Sequence, residues 1–155
     1  MPEVIINGPD GRLECRYMPS EVPDAPTALI LHPEPDKGGT MNNRVTYALY
    51  KHFQARGFAV LRFNFRGVGR SQGEYDMGIG ELSDAASALD YLQSMNQNAK
   101  HCWVAGFSFG ALRRWGWKTV MMLMSTEVVQ AMQNIPERAI TAVMAFQAGG
   151  MMSSP

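Results

Sequence analysis

Hydrophobic residues along this chain fall in two registers, and the switches between them predict its elements. Residues 3–7 (EVIIN) and 13–18 (LECRYM) read as short strands joined by a Gly-Pro-Asp-Gly turn, the punctuation of a hairpin. TALILH, at 27–32, is continuously apolar, as a strand covered on both faces is. The loop that follows, PEPDKGGTMNN, is too rich in Pro and Gly to predict a regular element. Val45, Ala48, Leu49, His52 and Phe53 then recur at helical spacing, with Asn42 or Asn43 available as N-cap and Gly57 placed to end the helix. On that stripe His52 reads as a packed histidine. FAVLRFNF, at 58–65, predicts the next strand, and Leu82, Ala85, Ala86, Leu89 and Leu92 predict a second helix over about 81–95. HCWVAGF predicts a strand that leads directly into Ser108.

Strands alternating with helices at this spacing indicate β-α-β crossovers, hence an α/β fold with a mostly parallel sheet covered on both faces and an N-terminal hairpin. After Ala111 the text changes character. The last 45 residues hold seven of the twelve methionines, no Asp, no His, and only two carboxylates, Glu127 and Glu137. Helix is expected over about 111–124 and again near 126–134, then a strand in AITAVMAF and a loose end. Methionine is adaptable core filler, so the Met-rich stretch reads as packing.

Composition narrows the functions available. At 155 residues and 46% hydrophobic, the chain is expected to be one globular domain over 1–155. Basic and acidic residues balance at 14 each, so no overall field steers it to nucleic acid or to an anionic membrane, and neither partner is expected. No signal peptide or run of about 18 apolar residues is present, so a cytoplasmic location is expected. Cys15 and Cys102 lie in predicted strands and read as reduced core thiols; neither a metal site nor a cofactor is expected.

The pattern G-x-S-x-G occurs twice, around Ser71 and around Ser108. Its chemical meaning requires a sharp strand-to-helix turn that exposes the serine. Ser108 has a strand before it and a helix-competent stretch after it, flanked by Gly106 and Gly110. Ser71 lies in FRGVGRSQGEYDMGIG, whose glycines prevent a prompt helix, and reads as a turn or capping residue. Gly67-Val68-Gly69 resembles the start of a dinucleotide fingerprint, but the third glycine and the prompt helix are missing. Arg62, Arg66 and Arg70, interleaved with Phe63 and Phe65, read as a strand and its adjoining loop and not as a nucleic-acid surface.

The blocks LHPEPDKGGTMNN, LRFNFRGVGRSQGEYD, GELSDAASALDYLQ and CWVAGFSFGA, taken in order, resemble the N-terminal half of an α/β-hydrolase. The likeness is to small bacterial hydrolases related to dienelactone hydrolases and other carboxylic-ester hydrolases, and it runs from about residue 1 to 111. It implies Ser108 as nucleophile of an ester-cleaving serine hydrolase, and the loop after TALILH as one side of the oxyanion hole. The fold supplies the other donor from the backbone N–H after the nucleophile, here Phe109. Pro33 and Pro35 have no N–H, so Glu34 is the candidate in the loop from His32 to Gly39. Similar sequences carry a second histidine (His-Pro-His-Pro) where this chain has Glu34.

In this fold the acid and then the histidine follow the serine along the chain, yet His32, His52 and His101 all precede Ser108. The segment after Ala111 reads as a divergent, truncated or frame-changed ending. His32 stands as either a substitute base or a residue that orders the oxyanion loop. Glu127 and Glu137 read as solvated residues. Two functions from different classes therefore stand: a serine hydrolase taking a small ester-like substrate, and a non-catalytic interaction module on a hydrolase half-fold. A homo-oligomer through an exposed sheet edge or the Met-rich tail would belong to the second. A nucleotide-binding domain is a distant third.

Overall fold

A computed structural model of the chain describes residues 2–106 and the strand 120–125. Its elements run β1 (Glu3–Gly8), β2 (Gly11–Met18), β3 (Thr27–Leu31), α1 (Arg44–Ala55), β4 (Ala59–Phe63), α2 (Ile79–Met95), β5 (His101–Gly106) and β6 (Val120–Ser125). All six strands join one sheet in the order β1-β2-β4-β3-β5-β6. The two expected crossovers place β4, β3 and β5 parallel in its centre. The hairpin flanks this core antiparallel on one side and β6 on the other, so the sheet as a whole is mixed.

Strand alternation divides the core into two layers. Leu13, Cys15, Leu29, Leu61, Phe63 and Val104 point to the face covered by Leu89 and Leu92 of α2. Ala28, Ile30, Val60 and Ala105 point to the opposite face, under Tyr50 and Phe53 of α1. Cys15 and Cys102 are buried free thiols, as their strand positions predict, and burial pushes Cys15 up to about 12. Among the described residues no helix is long and apolar enough to cross a membrane.

Several expectations need correcting. Helix α1 is capped by Asn43, whose side chain accepts from the Val45 N–H at 3.0 Å. It buries only part of the apolar stripe read from the sequence, Phe53 fully and Leu49 partly. The buried positions are Thr46, Tyr50 and Phe53, while Val45 and His52 are exposed. The Tyr47 and Tyr50 rings instead lie over the guanidinium of Arg62 on the strand beneath, with ring centroids 5.2 and 5.1 Å from its central carbon. His52 instead faces solvent, with Nδ1 3.0 Å from Arg56. Helix α2 keeps Leu89 and Leu92 inside as expected but also buries Glu81 and Asp84. The loop after β3 contains one 3₁₀ turn, Pro35–Lys37. Residues 120–125, expected at the end of a helix, form β6; VMMLMS is a short apolar run that periodicity cannot assign between helix and strand. The helix near 126–134 and the strand in AITAVMAF lie outside the described residues.

Candidate active site

Because β3, β4 and β5 are parallel, their C-terminal ends lie along one edge of the sheet, where α/β folds place their chemistry. Leu31 and Gly106 are register partners at that edge. A Cβ on Gly106 would stand 3.1 Å from the Leu31 carbonyl oxygen, so glycine lets the end of β5 lie close against β3. The chain leaves β3 as the loop His32–Gly39 and leaves β5 as the second G-x-S-x-G. Gly106 is described; Ser108, Phe109 and Gly110 lie outside the described residues.

His32 is buried, and both ring nitrogens are engaged. The Phe65 N–H donates to Nε2 at 3.0 Å, and Nδ1 lies 2.6 Å from the Pro33 carbonyl oxygen. A carbonyl can only accept, so the proton sits on Nδ1 and the lone pair of Nε2 is already occupied. Burial holds the imidazole neutral, lowering its pKa to about 4 against a smaller opposing effect of the Pro33 carbonyl. With both positions filled, this ring has no lone pair free to receive a serine proton. His101 opens β5 at the opposite end of the strand, roughly 17 Å from Gly106 at strand rise. His52 is on the exposed side of α1.

The loop itself is closed by its own backbone. The N–H groups of Lys37 and Gly39 both donate to the Glu34 carbonyl at 3.1 Å. A Cβ on Gly39 would fall 1.9 Å from the Pro33 carbonyl oxygen, a clash only glycine avoids. The Glu34 side chain is fixed as well, since Oε1 accepts from the Tyr75 hydroxyl at 2.9 Å. The Glu34 N–H, in contrast, meets no acceptor among the described residues.

A network of polar side chains around the end of β4 braces the surrounding loops. Asn64, just past β4, accepts from the Met41 N–H at 2.8 Å and donates to Glu14 at 2.9 Å. Arg62 donates to the Met41 carbonyl and to the Asn42 side chain at 2.7 and 2.8 Å. Arg66 forms a bidentate pair with Asp84 on α2 at 3.1 and 2.9 Å, and also donates to the Gly80 carbonyl. Ser71 is buried, and its hydroxyl accepts from the Glu14 N–H and donates to the Asn64 carbonyl, so it ties loop to hairpin. The polar run R-F-N-F-R at the end of an apolar strand was the one available sign of these braces; the partners are too distant in sequence to be read.

Comparison with known proteins agrees with this fold. The family model of the X-Pro dipeptidyl-peptidases (S15 family) matches residues 12–153. An uncharacterized protein of Rickettsia prowazekii is 54% identical over 111 residues, which make up 72% of this chain and 47% of the relative. A crystal structure of an α/β-hydrolase candidate from Agrobacterium tumefaciens, itself of unknown function, superposes with a TM-score of 0.68 at 66% identity, covering 70% of this chain and 50% of that one. An α/β serine hydrolase homologue from Coxiella burnetii gives 0.64 at 40% identity, covering 70% and 52%. A lidless α/β serine hydrolase from Xanthomonas campestris gives 0.63 at 34% identity, covering 70% and 51%. The chain thus spans about half the length of the relatives it matches.

Proposed function

Because this chain belongs to the X-Pro dipeptidyl-peptidase (S15) family of α/β hydrolases, we propose that it carries the nucleophile and oxyanion-hole portion of a serine hydrolase that cleaves ester-type acyl compounds. Ser108 is the nucleophile. The observation that supports this reading is the register pairing of Leu31 with Gly106, which puts the start of the His32–Gly39 loop and the first glycine of the second G-x-S-x-G at one edge of the sheet. The Ser108 oxygen forms a bond to the acyl carbon and passes its proton to a base. The N–H groups of Phe109 and Glu34 receive the charge that develops on the carbonyl oxygen. Collapse expels the alkoxide, which takes up the proton, and water then releases the acyl group from Ser108. His32 is a positioning residue, holding the first turn of the oxyanion loop against Phe65.

The base is a group other than His32, His52 or His101, for the reasons of bonding and placement given above. That same observation favours a second reading, a non-catalytic interaction module. The two part under external base catalysis. Hydrolysis of a p-nitrophenyl ester is expected to be slow with the chain alone, to rise with added imidazole beyond the rate of imidazole itself, and to lose that increment in Ser108→Ala. An increment that survives in Ser108→Ala, or none at all in folded protein, would favour the module.

A further inference from the structure

Strand β1 lies at the outside of the sheet, and among the described residues no strand pairs with its outer flank. In an antiparallel ladder alternate residues turn their N–H and C=O groups to the neighbouring strand, so half of those on Glu3–Gly8 face outward. An edge left this way is a template for another strand, and proteins usually blunt it with lysines, a proline or a bulge. The strand EVIING has none of these: its register with β2 runs unbroken from Glu3 opposite Arg16 to Gly8 opposite Gly11. Its one charged residue, Glu3, is already paired with Arg16 and Arg70. The side chains divide by face. Val4 and Ile6 pack on the side that α2 covers, while Glu3, Ile5 and Asn7 are exposed on the other, Ile5 by 46%.

We infer that this flank takes a second copy of the chain, β1 pairing antiparallel with β1 of the copy about a two-fold axis at Ile5. A two-fold axis perpendicular to the sheet makes the pairing antiparallel and self-complementary. Centred on Ile5, it sets that residue against itself and Val4 against Ile6, so apolar meets apolar on both faces. Glu3 then stands opposite Asn7 of the copy, whose own partner across the hairpin is Arg12. The row across the joined sheets reads Arg16, Glu3, Asn7, Arg12, which places each carboxylate between basic residues and opposes no like charges. Moving the axis to Val4 sets Glu3 against Ile5, and moving it to Ile6 sets Ile5 against Asn7, so either shift loses the match. Pro2, which has no N–H, bounds the ladder.

Sedimentation velocity of the 155-residue chain from about 1 to 200 μM, a range suited to so small an interface, tests the pairing. A reversible monomer–dimer equilibrium is expected. Ile5→Lys sets two ammonium groups against each other at the axis and is expected to raise the dissociation constant at least roughly tenfold. Val22→Lys, at an exposed apolar residue outside the strand, is expected to leave it unchanged. Because Ile5 faces itself, Ile5→Cys is expected to form an interchain disulfide on mild oxidation, and Asn7→Cys is not. Circular dichroism checks the fold of each variant, and should Ile5→Lys disturb it, the cross-link decides. A chain that stays monomeric throughout overturns the inference. So does a dimer that Ile5→Lys leaves intact and Ile5→Cys does not cross-link, since another face then holds it. None of these readouts involves Ser108, so the outcome is independent of the hydrolase reading.

Discussion

The Phe65 N–H donates to Nε2 of His32 across 3.0 Å, one of the bonds that join the loop after β3 to the loop after β4. It requires a neutral imidazole, and burial supplies one by lowering the His32 pKa to about 4. The unfolded chain holds this histidine near its ordinary 6.5, so between these values the unfolded state binds the extra proton.

Stability should therefore be full above about pH 6.5 and fall as the pH drops toward 4, by as much as roughly 3 kcal/mol from this group. Urea denaturation at stepped pH checks it. His32→Gln, which does not titrate, should be less stable at pH 7 and should lack that part of the decline.

Asp84 is fully buried beneath Arg66, which it meets through both carboxylate oxygens. Removing one partner strands the other, so Asp84→Ala should cost about 3–5 kcal/mol in chemical denaturation. The double change Arg66→Met with Asp84→Leu should recover a large part of that loss, since neither charge then remains enclosed.

Gly39 lies where any side chain would strike the Pro33 backbone. Gly39→Ala should open the 3₁₀ turn and shift the Glu34 N–H. In the imidazole-assisted ester assay this should lower the Ser108-dependent rate by about 10²-fold, the usual effect of losing one oxyanion donor. Far-ultraviolet circular dichroism should be retained.

Ser71 occupies the other G-x-S-x-G, yet its hydroxyl is spent on the Glu14 N–H and the Asn64 carbonyl. Ser71→Ala leaves both groups buried and short of a partner, so it should cost roughly 1–3 kcal/mol in urea denaturation. The Ser108-dependent ester rate should be unchanged.

What could be read in the sequence was whatever depends on local pattern. Continuous apolar runs marked β3, β4 and β5, and the crossovers between them set the two serines apart, because only Ser108 follows a strand without interruption. The face of α1 was misread in part because counting apolar residues omits Thr46 and Tyr50, the second of which packs on Arg62, a residue on another element. The burial of Asp84 was hidden for the same reason, since it becomes tolerable through Arg66, whereas Glu81 is held locally by the N–H groups of Asp76 and Gly78 at the start of its own helix. Tyr75 and Glu34 are 41 residues apart, and nothing in either neighbourhood announces their hydrogen bond.

The most direct test of Ser108 as nucleophile is mass analysis of the folded chain after a fluorophosphonate, with and without imidazole, followed by peptide mapping. One adduct on the Ser108 peptide is predicted, promoted by imidazole and absent in Ser108→Ala, with Ser71 unlabelled. Folded protein that stays unlabelled at every imidazole concentration, or that carries the adduct on Ser71, would contradict the assignment.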